Sequence, residues 1–370
     1  MKMRDSVRWL PIGALTAAVL IGGGTAFALF APQSRRGDSL GVADLELRAE
    51  TAVSRGLEYL KSHQQADGSW RDIIGRKVHT KYQGTDGKHV GVTALACMAF
   101  LANGSLPGRG KYGEQIERGL EFILGHVEPN GYITNESSRM YSHAFATLFL
   151  AEIYGMTGME RVEDALKSAI NLIVHAQNPQ GGWRYQPGAP DADMSITVCQ
   201  VMALRAAQNA GVHVPKRTID EAIRYVNNSY RADEGGGFTY QIEDGMASRV
   251  TLALTAAGVT ALYGAGVYDD PRIENGLEYI QRNLPSFTRN YGGPRQRFDY
   301  YYGIYYATQA AFQRGGDYWD RYQKQVWADL LRQQDARTNC WEDLVGRNYA
   351  TAVACVVLQI PRQYLPIFER

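Results

Sequence analysis

The chain has 370 residues, of which 45% are apolar and 21% charged, with a formal net charge of +1. That is an ordinary globular balance, long enough for one large domain or two smaller ones, and it excludes extended disorder. The charge is split along the chain: residues 1–36 carry Lys2, Arg4, Arg8, Arg35 and Arg36 against Asp5 alone. The rest is slightly acidic and has no basic cluster, which gives no electrostatic reason to bind nucleic acid.

The first element in chain order is "WLPIGALTAAVLIGGGTAFALFA", residues 9–31. It is uncharged and long enough to cross a bilayer as a helix. A cleaved signal peptide is the competing reading, with Ala26-Phe27-Ala28 as its small-residue cleavage site. An uncleaved anchor fits the length of the run better, and the basic N-terminal flank places the body on the non-cytoplasmic side of the membrane. The expected organisation is a flank at 1–8, an anchor at 9–31, a linker at 32–48, a helical body at 49–361 and a tail at 362–370. Cys97, Cys199 and Cys355 lie in apolar helical patterns, where cysteine acts as a small core residue, and no spacing suggests zinc.

From about residue 50 the sequence repeats. A first helix recurs as "SRGLEYLKSH", "ERGLEFILGH", "KSAINLIVHA", "DEAIRYVNNS", "ENGLEYIQRN" and, more loosely, "KQVWADLLRQ", at a spacing of roughly fifty residues. Each copy ends in a turn rich in glycine or aromatic residues: "ADGSW", "EPNGYI", "PQGGW", "EGGGF", "RNYGG" and "RTNCW". A second helix of small, apolar residues follows each turn, as in "GVTALACMAFLANG" and "RVTLALTAAGVTALYGAG". Helices that are apolar on every side are buried all round. Gly56, Gly119, Ala169, Ala222 and Gly276 hold one place in the first helix, where a small side chain lets a neighbour approach. Six such pairs close into an all-α ring, an (α/α)6 toroid with second helices inside, preceded by one transmembrane helix. An open solenoid is the alternative.

The turns around Gln64, Gly68 and Trp70, and around Gln177, Gly181, Gly182 and Trp183, resemble the Q-x-x-x-G-x-W turns of the α/α-toroid superfamily of terpenoid cyclases and protein prenyltransferase β subunits. The likeness is strongest to squalene-cyclase-like repeat proteins and spans nearly the whole body. It implies that Gln and Trp staple helices together and have no catalytic part.

The loops before the second helices converge on one mouth of such a ring. They supply His89, Tyr141, His143, Asp191, Asp193, Arg249, Asp299, Tyr301, Tyr302 and Tyr349. Apolar walls with a few convergent polar groups describe a small-molecule site. Asp191 and Asp193 in "DADMSIT" are the candidate catalytic acids, by resemblance to the D-x-D-D-T-A motif of squalene-hopene-type cyclases. The match is broken in either register: Met194 replaces the last acid, or Ser195 and Ile196 replace the later two. Asp193 also reads as a helix N-cap, whose charged form the helix end favours. The tyrosines of "FDYYYGIYY" serve either as aromatic walls or as large fillers. The prenyltransferase zinc set is not present, because Tyr301 stands where a cysteine is needed and Ala350 where a histidine is needed.

Three readings follow. The first is a membrane-anchored toroid holding an apolar molecule, such as an isoprenoid, in a central cavity, with metal-independent cyclase chemistry and no cofactor if it is an enzyme. The second is a toroid that binds a ligand or protein without chemistry. The third is a carbohydrate-active enzyme, with Asp193 and Asp299 as its carboxylate pair.

Overall fold

A computed structural model of the chain describes residues 36–76, 82–243, 249–289 and 299–369. The apolar segment at 9–31, and with it the expected anchor, lies outside the described residues. Among the described residues no helix is long and apolar enough to cross a membrane.

Among the described residues twelve α-helices alternate in two classes. The outer set is α1 (Arg36–His63), α3 (Gly113–Leu124), α5 (Glu160–Ala176), α7 (Lys216–Asn228), α9 (Pro271–Arg289) and α11 (Gly316–Gln333). The inner set is α2 (Val90–Leu101), α4 (Met140–Thr157), α6 (Met194–Asn209), α8 (Leu252–Gly264), α10 (Tyr300–Arg314) and α12 (Arg347–Gln359). Helix α1 begins inside the stretch expected as a linker. Every residue of α2 is buried, whereas α7 buries one stripe through Thr218, Ile219, Ala222, Tyr225 and Val226.

Each inner helix packs on the next, and α12 returns to α2. The ring is therefore closed, not an open solenoid. The seam between the last and first repeats is hydrogen-bonded throughout its height. Gln334 donates to the Ala52 carbonyl, Asn348 to the Arg71 carbonyl, and Gln359 to the Ala99 carbonyl.

The turns carry the repeat. Gln64 Nε2 donates to the carbonyls of Gly68 at 3.0 Å and Gln115 at 2.9 Å, tying its own turn to the next outer helix. Gln177 does the same with Gly181 and Thr218, and Gln334 with Asn339 and Ala52. The indoles of Trp70, Trp183 and Trp341 each donate back to an outer-helix carbonyl, of Leu60, Ile173 and Leu330. Their backbone N–H groups donate to the hydroxyls of Thr93, Thr197 and Thr351 on the inner helices. Gly68 and Gly181 have φ of +89° and +93°, and a Cβ there would stand within 2.2 Å of a carbonyl of the next outer helix. The small residues in the outer helices act as expected: a Cβ on Gly119 would lie 2.3 Å from Cys97 Sγ, and one on Gly276 would lie 2.5 Å from Val259.

Two short antiparallel ribbons depart from a purely helical expectation. Strand β1 (Arg71–Ile74) pairs with β2 (Thr85–Lys88), and β3 (Tyr230–Arg231) with β4 (Gly237–Phe238). They are the extended exits of the turns, lying over the N-terminal ends of the inner helices. The tail does not hang free. Two single turns of 3-10 helix, Ile360–Arg362 and Pro366–Phe368, fold across the opposite end of the ring and bury Ile360, Leu365 and Phe368.

Under that tail lies Glu152 of α4, 1% exposed, with the Ile367 N–H at 3.4 Å. Burial pushes its carboxyl up to about 8. A carboxyl raised above its unfolded value contributes stability fully at pH below about 4.5, and that contribution is lost as pH rises towards 8. Each pH unit in that window costs about 1.4 kcal/mol. Glu152→Gln should therefore melt close to the parent at pH 5 and several degrees above it at pH 8.5, in calorimetric scans. A parallel decline of the two proteins with pH would refute this.

Candidate functional site

The N-terminal ends of the six inner helices gather at one mouth, and side chains cap α2, α6, α8 and α12. His89 N-caps α2 through Nδ1, which accepts from the Val92 N–H at 3.3 Å, so its proton sits on Nε2. Burial lowers its pKa to about 4, and the ring is neutral. Thr251 caps α8 by its own hydroxyl. Helix α12 starts at Gly346 and is capped from outside, by Asp72 of β1, whose Oδ2 accepts from the Tyr349 N–H at 2.7 Å.

Asp193 caps α6 and is fully buried. Its Oδ1 accepts from the Ile196 N–H at 2.9 Å and from the Ser195 hydroxyl at 2.5 Å. Its Oδ2 accepts from Arg184 Nη1 at 2.7 Å, with the Tyr240 hydroxyl at 3.4 Å. Burial pushes this carboxyl up, while Ser195, Arg184 and the helix N–H pull it down. The guanidinium and the amide N–H can only donate, and their contacts favour the carboxylate against that burial. The same pairing raises the Arg184 pKa. Asp191 lies in the loop outside and takes Arg184 Nε at 3.2 Å.

Arginines and tyrosines alternate around this ion pair. Arg139 lies over the ring of Tyr185, Arg184 over Tyr185 and Tyr240, and Arg249 over Tyr240. The hydroxyls of Tyr185 and Tyr240 meet at 2.5 Å. Stacking of this kind fixes the guanidinium planes and lines the mouth with aromatic faces.

Inside the mouth the side chains of His89, Tyr141, Phe145, Tyr302 and Tyr349 stay partly exposed, although they stand within the ring of inner helices. Tyr141 of α4 meets Tyr302 of α10 edge-on at 6.5 Å, and one turn below Phe145 of α4 meets Tyr305 of α10 edge-on at 5.9 Å, with Tyr306 packed on Tyr305. Helices α4 and α10 are on opposite sides of the ring, so these side chains bridge its centre. Where a central cavity is expected from the sequence, aromatic side chains span the ring. The Tyr141 hydroxyl reaches Ser195 Oγ at 2.5 Å, and the Tyr302 hydroxyl donates to the Ser195 carbonyl at 3.1 Å.

Two expected site residues, His143 and Tyr301, turn away from the mouth. His143 faces its turn and not the mouth: its Nδ1 accepts from the Ile133 N–H at 3.1 Å, the place threonine holds in other repeats. Burial lowers its pKa to about 3. Tyr301 is buried, with its hydroxyl towards Gln333 and its ring edge-on to Tyr349. Asp299 begins α10, its carbonyl accepting from the Gly303 N–H. Among the described residues no group of three His, Cys, Asp or Glu side chains is placed to hold a metal ion.

Sequence reasoning missed Arg184, Tyr185, Tyr240, Asp72 and Asp343. The signal was available in the repeat register. Asp72, Tyr185 and Asp343 each lie two residues after a turn tryptophan, and Tyr240 lies two after Phe238, whose N–H meets Thr255 as the tryptophans meet their threonines. Burial and the surrounding carboxylates push both Asp72 and Asp343 up to about 7.

No protein-family model matches the chain, and no curated protein is similar to it in sequence. Solved structures do match in three dimensions. The type II terpene cyclase MstE from Scytonema superposes with a TM-score of 0.57 at 16% identity, over 86% of this chain and 99% of that one. The fold is the α/α toroid. An inactive variant of the α-1,6-mannanase GH76A of Salegentibacter, in complex with α-1,6-mannotriose, gives 0.60 at 9% identity, over 84% and 98%. A protein from Actinoplanes gives 0.55 at 16% identity, over 85% and 99%. The toroid is therefore shared with enzymes acting on very different molecules.

Removing Arg184 strands a buried carboxylate, which costs about 3–5 kcal/mol. Arg184→Gln should lose that much in urea unfolding, and Arg184→Gln with Asp193→Asn should recover at least half. Equal losses for the single and double variants would show that the pair contributes no such coupling.

Proposed function

We propose that the protein is a membrane-anchored toroid that binds an apolar, isoprenoid-like molecule against the aromatic side chains at its mouth, without acid-initiated cyclisation. The observation that carries this is the engagement of Asp193. Its two oxygens face a guanidinium, a hydroxyl and a helix N–H, and a carboxylate so held has no proton to give an alkene. Asp191, 43% exposed and paired with the same arginine, is no better placed. The walls favour an apolar guest: tyrosine and phenylalanine faces offer large contact area at small entropic cost. The likeness to a terpene cyclase supports the choice of guest through the fold alone. Anchoring on the non-cytoplasmic side rests on the uncharged run at 9–31 and its basic flank.

A second reading, a carbohydrate-active enzyme, is favoured by one observation. Asp72 and Asp343, both pushed up to about 7, share the α12 side of the mouth, where Asp343 raises Asp72 and Asp299 raises Asp343. Glycoside hydrolysis uses a pair of carboxyls, one as acid and one as base or nucleophile. Asp72 and Asp343 join Asp193 and Asp299 as candidates for that pair.

One experiment separates the readings. The full chain in detergent is incubated with a mixed isoprenoid extract and, separately, with α-1,6-mannan. Mass spectrometry should recover bound isoprenoid with no loss of substrate, and Asp193→Asn should retain the bound lipid. Turnover abolished by Asp193→Asn or Asp191→Asn would overturn the proposal in favour of a cyclase. Reducing-sugar release abolished by Asp343→Asn would establish the second reading.

A further inference from the structure

A cavity of about 550 Å³ lies away from the ring's centre, at the seam between the last repeat and the first. Helix α1, the last turn and the first residue of α12 line it, through Arg55, Tyr59, His63, Asn339 and Arg347 among others. That volume is in the range of small-molecule sites.

The cavity has its origin in one turn. Gln64 and Trp70 are six residues apart, as are Gln177 and Trp183, but Gln334 and Trp341 are seven apart. The staple itself is unchanged. Gln64 reaches the Gln115 carbonyl, three residues before Arg118, and Gln334 reaches the Ala52 carbonyl, three residues before Arg55. Asn339, with φ of +62°, holds the place of Gly68 and Gly181. Those glycines press on the backbone of the next outer helix, at Arg118 and Glu221, where a Cβ has no room. An added residue and a side chain at that place keep the last turn from closing on α1 in the same way. The arginines differ accordingly. Arg118 donates to the Gln65 carbonyl of the turn before it, whereas Arg55, its counterpart in α1, has no ion pair or side-chain hydrogen bond among the described residues.

The acids nearby are already engaged. Glu58 takes Lys111 and the Tyr112 hydroxyl, Glu342 takes Arg347, and Asp335 accepts from the Arg337 and Thr338 N–H groups of its own turn. Arg55 is left as an uncompensated cation. Arg347 gives Nε and Nη2 to Glu342, which leaves its Nη1. The Asn339 amide and the Ser54 hydroxyl on the same walls also have no partner among the described residues. Donors from three elements suit a tetrahedral oxyanion, which accepts in several directions, better than a planar carboxylate.

We propose that the seam cavity binds a small phosphate monoester, with its oxygens on Arg55 and Arg347 and its organic part against the Tyr59–His63 pair, whose rings stack at 3.9 Å. The site is separate from the mouth and does not depend on what the mouth binds.

Calorimetric titration of the full chain in detergent tests this, with phenyl phosphate as the probe and phenol as its neutral counterpart. Phenyl phosphate should bind at one site, about tenfold or more tighter than phenol, the scale of one or two charge-assisted hydrogen bonds. Arg55→Gln should remove most of that difference. Arg48→Gln, on the same helix but outside the cavity, should leave it unchanged. Both arginines are exposed, so neither variant puts folding at stake. Deleting Ala336 together with Asn339→Gly restores the spacing of the other turns and should abolish binding with Arg55 still present. Absence of phenyl phosphate binding, equal affinity for phenol, or equal weakening by the two arginine variants would overturn the inference. Full affinity in a folded short-turn variant would overturn it as well.

Discussion

The structure depends on the way each turn satisfies a helix end. An outer helix finishes with carbonyls that have no partner in the helix, and the chain must then reverse and enter a buried inner helix. One glutamine and one tryptophan meet both needs. The glutamine amide spans its own turn and the next outer helix, and the indole N–H returns to the outer helix just left. The tryptophan N–H then meets a threonine on the inner helix, so four segments are fixed by two side chains. Where the glutamine is lost, as in the repeat of Phe238, the threonine contact survives and keeps the register.

That register creates the mouth. Once a turn residue is pinned to the inner helix, the residues after it run extended over the helix end and point across the opening. The ribbon β1–β2 and the link from the Met194 N–H to the Tyr240 carbonyl follow from this geometry. So does the capping of α12 by Asp72, a residue of the first repeat serving the last. Ring closure thereby becomes part of the site, because the seam supplies polar groups that no single repeat contains.

The mouth differs in its residues from one repeat to the next, within a fold shared with enzymes. The same helix start that could carry an acid here carries an N-cap aspartate locked to an arginine. Burial and ion pairing act on that carboxyl in opposite senses. The tyrosines of α10 close the ring's centre from the far side, meeting Tyr141 and Phe145 of α4.

The sequence alone determined the repeat and the two classes of helix, which follow from local periodicity. The stapling role of Gln64, Gln177, Trp70 and Trp183 was implied by the resemblance of their turns to the toroid family, and the hydrogen bonds show it. The sequence also placed Asp193 as a cap, because a cap is a property of one helix end. Only the tertiary structure decided that the ring closes, that α10 fills its centre, and that Arg184 reaches back to Asp193 while Tyr141 reaches Ser195 from another repeat. His143 reads locally as a mouth residue and is in fact a threonine substitute. Contacts between repeats depend on side-chain direction across some fifty residues of chain, and periodicity carries no information about that direction.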